Sequence, residues 1–327
     1  MEEKIKIYIS KRTKDILWKD MELFEFYKRN GKLNQNDFLN ELIMNYYEKF
    51  QNEQKKYRED LLRVFTSFKM DMADEITDQM IMIRQGSSET SRQKKEVTIS
   101  LKPTKKSSSI ISYIQNELTK NISLSGYFRN LFDSYVSMPQ DEREKIIFRE
   151  TYEIIQKAIQ QKKKLSIATY RKPDYFHHLS PYALSSSKEE LFNYLLGAKE
   201  NRICSFRVSR IRTIVIEEEK SFITKEQLVL LKKMEQYGPQ FMISREEEIV
   251  VKLGQRGKEL YQALYLHRPA VDHIEGDLYY FYCSEEQIRQ YFSRFGKYAE
   301  IIKPEYLRNE LKQFYKEAYE IYENGRK

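Results

Sequence analysis

The sequence predicts an α+β protein of several domains, and three observations predict it. Residues 4–10 and 96–102 each alternate apolar and polar side chains, and each run is followed by helix-forming sequence. A central stretch, 158–211, holds short strand-like runs among many lysines, arginines and tyrosines. From residue 247 strand and helix patterns alternate to the end of the chain.

In the first run Ile5, Ile7 and Ile9 share one face and Lys4, Lys6 and Tyr8 the other, the period of a half-buried strand. A helix is expected over 12–28, stopped by Asn30-Gly31. Asn34 or Asn36 can cap the next, in which Phe38, Leu39, Leu42, Ile43 and Tyr46 form one face. Residues 54–84 read as one long helix, with Tyr57, Leu61, Val64, Phe65, Phe68, Met72 and Ile76 at spacings of three and four. Residues 85–95 read as a polar linker.

The strand–helix–helix order then recurs. Val97, Ile99 and Leu101 point one way, Glu96, Thr98, Ser100 and Lys102 the other, and Pro103 ends the strand. Helices over 107–120 and 125–137 complete the second copy. Each copy resembles a ribbon-helix-helix module. That resemblance implies an antiparallel strand pair whose outward side chains, here Lys4, Lys6 and Tyr8, enter a DNA major groove. The two strands can pair with each other or across a dimer.

Composition narrows the function classes. A length of 327 residues allows two or three domains, and 40% hydrophobic against 32% charged residues is ordinary for a soluble chain. The net charge of +8 favours acidic partners. Residues 152–216 carry twelve Lys/Arg against five Asp/Glu, so +7 of that +8 falls in one window. Interleaved tyrosines and histidines make it a surface for stacked bases and phosphates. The two cysteines, Cys204 and Cys283, are not in metal-ligand spacing and read as buried strand residues in a reducing compartment. No run approaches a membrane span, and the start lacks a signal-peptide core, so a cytoplasmic protein without membrane partners is expected.

No catalytic constellation stands out, so no enzyme and no cofactor are expected. Gly254-Gln255-Arg256-Gly257 lacks the lysine and spacing of a phosphate loop and reads as a strand-to-helix turn. His177 and His178 have no cysteine or third ligand nearby, so no metal is expected. Glu217-Glu218-Glu219 reads as a solvated charge run.

The central stretch is ordered in a specific way. A helix over 141–159 leads into Lys162-Lys163-Lys164, then a strand over 165–170, the His-His-x-Ser-Pro-Tyr segment at 177–182 presented as a turn, a strand at 193–197 and another at 206–211. Leu165-x-Ile167-x-x-Tyr170, Pro181-Tyr182-x-Leu184, Tyr194-Leu195-x-Gly197 and Phe206-Arg207-x-x-Arg210-Ile211 resemble the WYL domain, a small Sm-like β-barrel of prokaryotic regulators. The family's Trp-Tyr-Leu reads Asn193-Tyr194-Leu195 here.

Strand parity sends Leu165 and Ile167 to the core and Ser166, Ala168 and Tyr170 to the opposite face, where a base can stack on Tyr170. His178 and Tyr182 flank Ser180-Pro181. Arg207 and Arg210 differ in parity, so an unbroken strand sends them to opposite faces, whereas a bulge or strand end after Val208 brings them together. The resemblance implies a nucleic-acid site of Tyr170, His178, Tyr182, Tyr194, Arg207 and Arg210.

A short helix over 226–237 follows, ended by Gly238-Pro239, and then the pattern changes. Strands at 249–253, 278–283 and 299–302 and helices at 255–266, 285–295 and 304–322 suggest a ferredoxin-like module. It also resembles the C-terminal, dimer-forming extension that accompanies WYL domains.

Three domains are thus expected, 1–138, 139–216 and 217–327. The combination is similar to the WYL accessory proteins of type VI-D CRISPR systems. That implies a non-catalytic homodimer that binds single-stranded RNA and stimulates an RNA-guided RNase effector. The other reading is a ligand-sensing transcriptional repressor that grips duplex DNA through its ribbon.

Overall fold

A computed structural model describes residues 4–68, 72–84, 96–119, 122–200, 202–240 and 248–324. The expected linker at 85–95 lies outside them. The chain divides into two compact units, Met1–Arg149 and Glu150–Lys327.

The first unit opens with β1 (Ile5–Ser10), whose Ile7 and Ile9 are wholly buried while Lys4, Lys6 and Tyr8 are exposed. Ser10 accepts a hydrogen bond from the Thr13 amide and so caps α1 (Lys11–Leu23). That helix stops well short of residue 28. Glu25 adopts a left-handed φ of 60°, and the turn buries Phe24 and sets the Phe26 ring edge-on to Phe38. Aromatic burial there outweighs further helix.

The next helix, α2 (Gln35–Ser67), runs 33 residues without interruption. No glycine or proline separates the two helices read from sequence, so they fuse. The long helix expected over 54–84 instead breaks after Ser67, and α3 (Ala73–Arg84) returns along α2. Arg58 ties the pair through Asp74 at 3.1 Å and Asp78 at 2.9 Å.

The second strand, β2 (Glu96–Leu101), pairs antiparallel with β1 in the same chain. Ile7 lies opposite Ile99 on the buried side, and Lys6 faces Ser100 and Tyr8 faces Thr98 on the exposed side. Of the two pairings the sequence allows, this is the one within a chain. Behind β2 come α4 (Ser108–Tyr113), continued by a π-helical stretch over Ile114–Leu118, and α5 (Leu124–Val136), capped by Ser123.

The helix expected over 141–159 is two, α6 (Gln140–Ile147) and α7 (Arg149–Gln161). The break falls at Phe148, whose ring packs edge-on to Phe24 at 5.8 Å. At the centre of this unit Asp20 is fully buried and takes both prongs of Arg143, at 2.7 and 2.8 Å, plus the Tyr135 hydroxyl at 2.9 Å. A carboxylate that deep is tolerated only because its oxygens are met this fully.

The second unit contains two sheets. The first holds β3 (Lys163–Thr169), β4 (Lys172–Ser186), β5 (Asn193–Lys199), β6 (Arg202–Arg207) and β7 (Ile211–Lys220), in the order β6-β5-β4-β3-β7. The His-His-x-Ser-Pro-Tyr segment is not a turn but the middle of the 15-residue β4. That strand pairs with β3 as far as Leu179 and with β5 from Ser180 onward. Pro181 sits at this change of partner, beside a register shift, where its missing N–H breaks no regular ladder.

Opposite Pro181 stands Gly197. A Cβ there would meet the Ser180 carbonyl oxygen at 2.6 Å and Leu179 Cδ1 at 2.7 Å, which explains a glycine at the end of the Tyr-Leu-x-Gly run. The strand expected at 206–211 is displaced. It ends at Arg207, and a 3-10 turn over Val208–Arg210, with Val208 and Ser209 buried, leads into β7. No ladder joins β6 to β7, so the expected closed barrel is an open five-stranded sheet whose two edges are adjacent in sequence.

Thr224 and Gln227 form a reciprocal cap on α8 (Lys225–Tyr237). The second sheet follows with β8 (Ile249–Leu253), α9 (Gln255–Ala263), β9 (His273–Glu275), β10 (Leu278–Phe281), α10 (Glu285–Phe292), β11 (Ala299–Lys303) and α11 (Glu305–Asn324). Its strand order is β11-β8-β10-β9, all antiparallel. Together with the β-α-β-β-α-β succession this is a ferredoxin-like arrangement, completed by β9, which the sequence reading lacked. No helix among the described residues is long and apolar enough to cross a membrane.

Candidate nucleic-acid interface

The β5–β6 ladder fixes one end of the first sheet of the second unit. Tyr194 lies directly opposite Arg207, so their side chains share a face. The Tyr194 hydroxyl donates to Glu190 Oε2 at 2.5 Å, and burial, then that carboxylate, hold its proton affinity far above that of an ordinary phenol. The fields of Arg207 and Arg210 pull the other way. Arg207 stacks on Phe192 with 3.2 Å between guanidinium carbon and ring centroid, and its Nε donates to Ser209 Oγ at 2.8 Å.

The 3-10 turn after Arg207 replaces strict alternation with a tight bend, and Arg210 comes to the same end of the sheet. Its carbonyl accepts the Tyr170 amide at 3.2 Å. Tyr170 follows β3, and its side chain is 49% exposed against 9% for Tyr194. Of these two tyrosines, then, Tyr170 is half exposed and Tyr194 is packed into the wall. Four of the predicted residues, Tyr170, Tyr194, Arg207 and Arg210, are gathered at this end.

The structure gives the other two different partners. His178 lies opposite Ser166 on β3, and its Nδ1 is 2.5 Å from Glu217 Oε1. Tyr182 falls in the register shift of β4, and its hydroxyl reaches Glu235 of α8 at 3.4 Å. Ala168, expected beside Ser166 and Tyr170, is wholly buried.

The acidic run 217–219 is not a bare charge run either. Glu217 meets His178, Glu218 meets Lys163 at 2.9 Å and Glu219 meets Lys164 at 2.5 Å. Extending the basic window by those three residues lowers its net charge from +7 to +4. The cations that shape the candidate site are therefore its arginines, since exposed pairs such as these contribute little.

Phe192, Glu190 and Ser209 were missed by sequence reasoning. Phe192 stands two residues before Tyr194, a spacing that would have placed it on the same face. Glu190 and Ser209 carried no such signal.

On the first unit, Lys4, Lys6 and Tyr8 stand out from the exposed face of the ribbon with Thr98 and Ser100 beside them. The backbone of β1 is anchored from behind, as Arg129 Nε of α5 donates to the Tyr8 carbonyl at 2.7 Å. Among the described residues no three His, Cys, Asp or Glu side chains converge as metal ligands. Burial pushes the thiols of Cys204 and Cys283 up to about 12, which makes both poor nucleophiles.

Comparison with known proteins follows the same outline. Residues 150–216 match the WYL domain family. No curated protein matches the chain by sequence. A solved structure described as a CRISPR Cas-related protein superposes with a TM-score of 0.72 at 19% identity, covering 99% of this chain and 95% of that one. Proteasome accessory factor B/C (PafBC) of Arthrobacter aurescens is covered over 35% of its length by 65% of this chain, at 13% identity and a TM-score of 0.25, too low to bear on the fold. The chain thus contains a stretch that matches the WYL domain and shares, along nearly its whole length, the fold of a CRISPR Cas-related protein.

Proposed function

We propose that this protein is a non-catalytic regulator that binds single-stranded RNA on its WYL sheet and stimulates the RNA-guided RNase effector of a type VI-D CRISPR system, acting as a homodimer. The observation that carries the reading is the hydrogen bond from the Tyr170 amide to the Arg210 carbonyl, one 3-10 turn beyond Arg207. A half-exposed tyrosine next to a turn that carries two arginines suits an unpaired base and its phosphates, each stacked base contributing about 1–3 kcal/mol. Similarity in fold to a CRISPR Cas-related protein supports the setting. Residues 139–216 would form the RNA-binding domain and 217–327 the dimerising one.

A specific observation favours a second reading, a ligand-sensing repressor. The intramolecular ribbon backed by two helix pairs is the shape that presents Lys4, Lys6 and Tyr8 to a major groove.

The discriminating experiment is a competition of single-stranded RNA against duplex DNA on the intact chain. The RNA reading expects RNA to win, and Tyr170→Ala with Arg207→Ala to abolish binding. Preference for a specific duplex, lost in Lys4→Ala with Lys6→Ala, would establish the repressor reading instead.

A further inference from the structure

The WYL sheet has a second aromatic and basic cluster, on the face of the β5–β6 ladder opposite Tyr194 and Arg207. On β4 and β6, His177 lies between Tyr175, edge-on at a ring distance of 4.7 Å, and Phe206, tilted at 4.9 Å. Lys199, at the end of β5, lies 5.3 Å from the Tyr175 ring centroid and donates to its hydroxyl at 3.1 Å. Arg202 pairs with Lys199 across the β5–β6 ladder, on the same face as Phe206. Lys172, at the start of β4, completes the basic rim.

This cluster is set off from Tyr194 and Arg207 by face, since Phe206 adjoins Arg207 in the chain and Lys172 stands opposite Thr169. Along β5, Tyr194 and Lys199 are five residues apart, about 17 Å of extended strand. The ladder between them is regular, so an odd separation puts them on opposite faces. Tyr175 is 49% exposed, as open as Tyr170. His177 is held below the ordinary histidine range, by burial first and then by Lys199, Lys172 and Arg202, so its ring is an uncharged aromatic at neutral pH. Three rings in a row with three cations at their margin make a surface on which bases stack while phosphates meet the rim.

We propose that Tyr175, His177 and Phe206, edged by Lys172, Lys199 and Arg202, form a second subsite for unpaired nucleotides, so that one RNA strand engages both faces of the sheet. The inference rests on the reading of this sheet as a single-strand surface. It adds a length requirement: a short oligonucleotide fills one subsite, and a longer one gains from both through the raised effective concentration of its second segment.

The test measures binding of fluorescein-labelled oligouridylates of about 4 and about 12 nucleotides, lengths within the span of single-strand sites, to the intact chain and to Tyr175→Ala, Tyr175→Phe and Arg207→Ala. Tyr175→Ala is expected to weaken the longer probe about five- to a hundredfold, the loss of one stacked base. Tyr175→Phe, which keeps the ring and removes only the hydroxyl, is expected to bind like the parent. If Tyr175→Ala leaves the longer probe unaffected while Arg207→Ala weakens it, the second subsite is refuted and the functional reading stands. Equal losses in Tyr175→Ala and Tyr175→Phe would refute stacking. Failure of the parent chain to bind either probe would overturn both.

Discussion

The ribbon of the first unit and the WYL sheet of the second both set cations beside tyrosines, and they hold them differently. On the ribbon, Lys4 and Lys6 project from an exposed face whose reverse is isoleucine core. On the sheet, Arg207 is laid flat on Phe192 and pinned to Ser209, with Tyr194 and Glu190 behind it. Mobile lysines supply charge that any phosphate backbone can use. A braced guanidinium has already lost its rotamer freedom, so it supplies direction as well as charge. The ribbon is thus suited to grip and the sheet to position.

Separate disruption of the two regions is the strongest way to break this contrast. Asp20→Ala leaves Arg143 buried without its partner, a loss of about 3–5 kcal/mol. Chemical denaturation should show the first unit melting early while the second keeps its transition, and RNA binding should persist under conditions where only the second is folded. A single shared transition that moves as one would show the two regions are not independent.

The converse is Gly197→Ala. The added methyl collides with the Ser180 carbonyl and Leu179, an overpacking expected to cost the second unit about 1–3 kcal/mol. RNA affinity should fall while the stability of the first unit holds, and unchanged RNA affinity would remove the sheet from the site.

A smaller effect sharpens the electrostatic side. Lys4→Ala with Lys6→Ala should lower the slope of log affinity for duplex DNA against log salt by about two, near 0.9 per lost phosphate contact. Titration with single-stranded RNA should show no matching change.

The smallest effect concerns protons. In the unfolded chain His177 takes up a proton near 6.5, whereas in the folded protein it does so only at lower pH. The unfolded state therefore binds more protons between those values, and stability should fall as pH drops from about 6.5 toward the folded value, then level off. Stability measured against pH should lose that decline in His177→Gln.

Much of the fold was legible because local patterns carried it. The alternation of Ile5, Ile7 and Ile9 and of Val97, Ile99 and Leu101 gave two strands, which the structure pairs. What was not legible depended on register and distance. Asp20 and Arg143 meet across 123 residues, and neither has a local cue. The three residues of β9 are all exposed, so no apolar period marks them. Ser180-Pro181 carries turn chemistry yet lies within a strand, because the strand changes partner there.

In the site, the motif order pointed to Tyr170, Tyr194, Arg207 and Arg210, but only the 3-10 turn decides that both arginines reach one end. Partners for the glutamates at 217–219 were invisible, since cross-strand neighbours follow from a register that composition does not encode.

Both strands of the ribbon belong to one polypeptide, and this has a consequence for whatever it touches. Dilution cannot take such a ribbon apart, because no second molecule is needed to build it. Its two halves are also free to differ, with Lys6 facing Ser100 and Tyr8 facing Thr98. A surface of that kind has no twofold symmetry of its own to impose on anything laid against it.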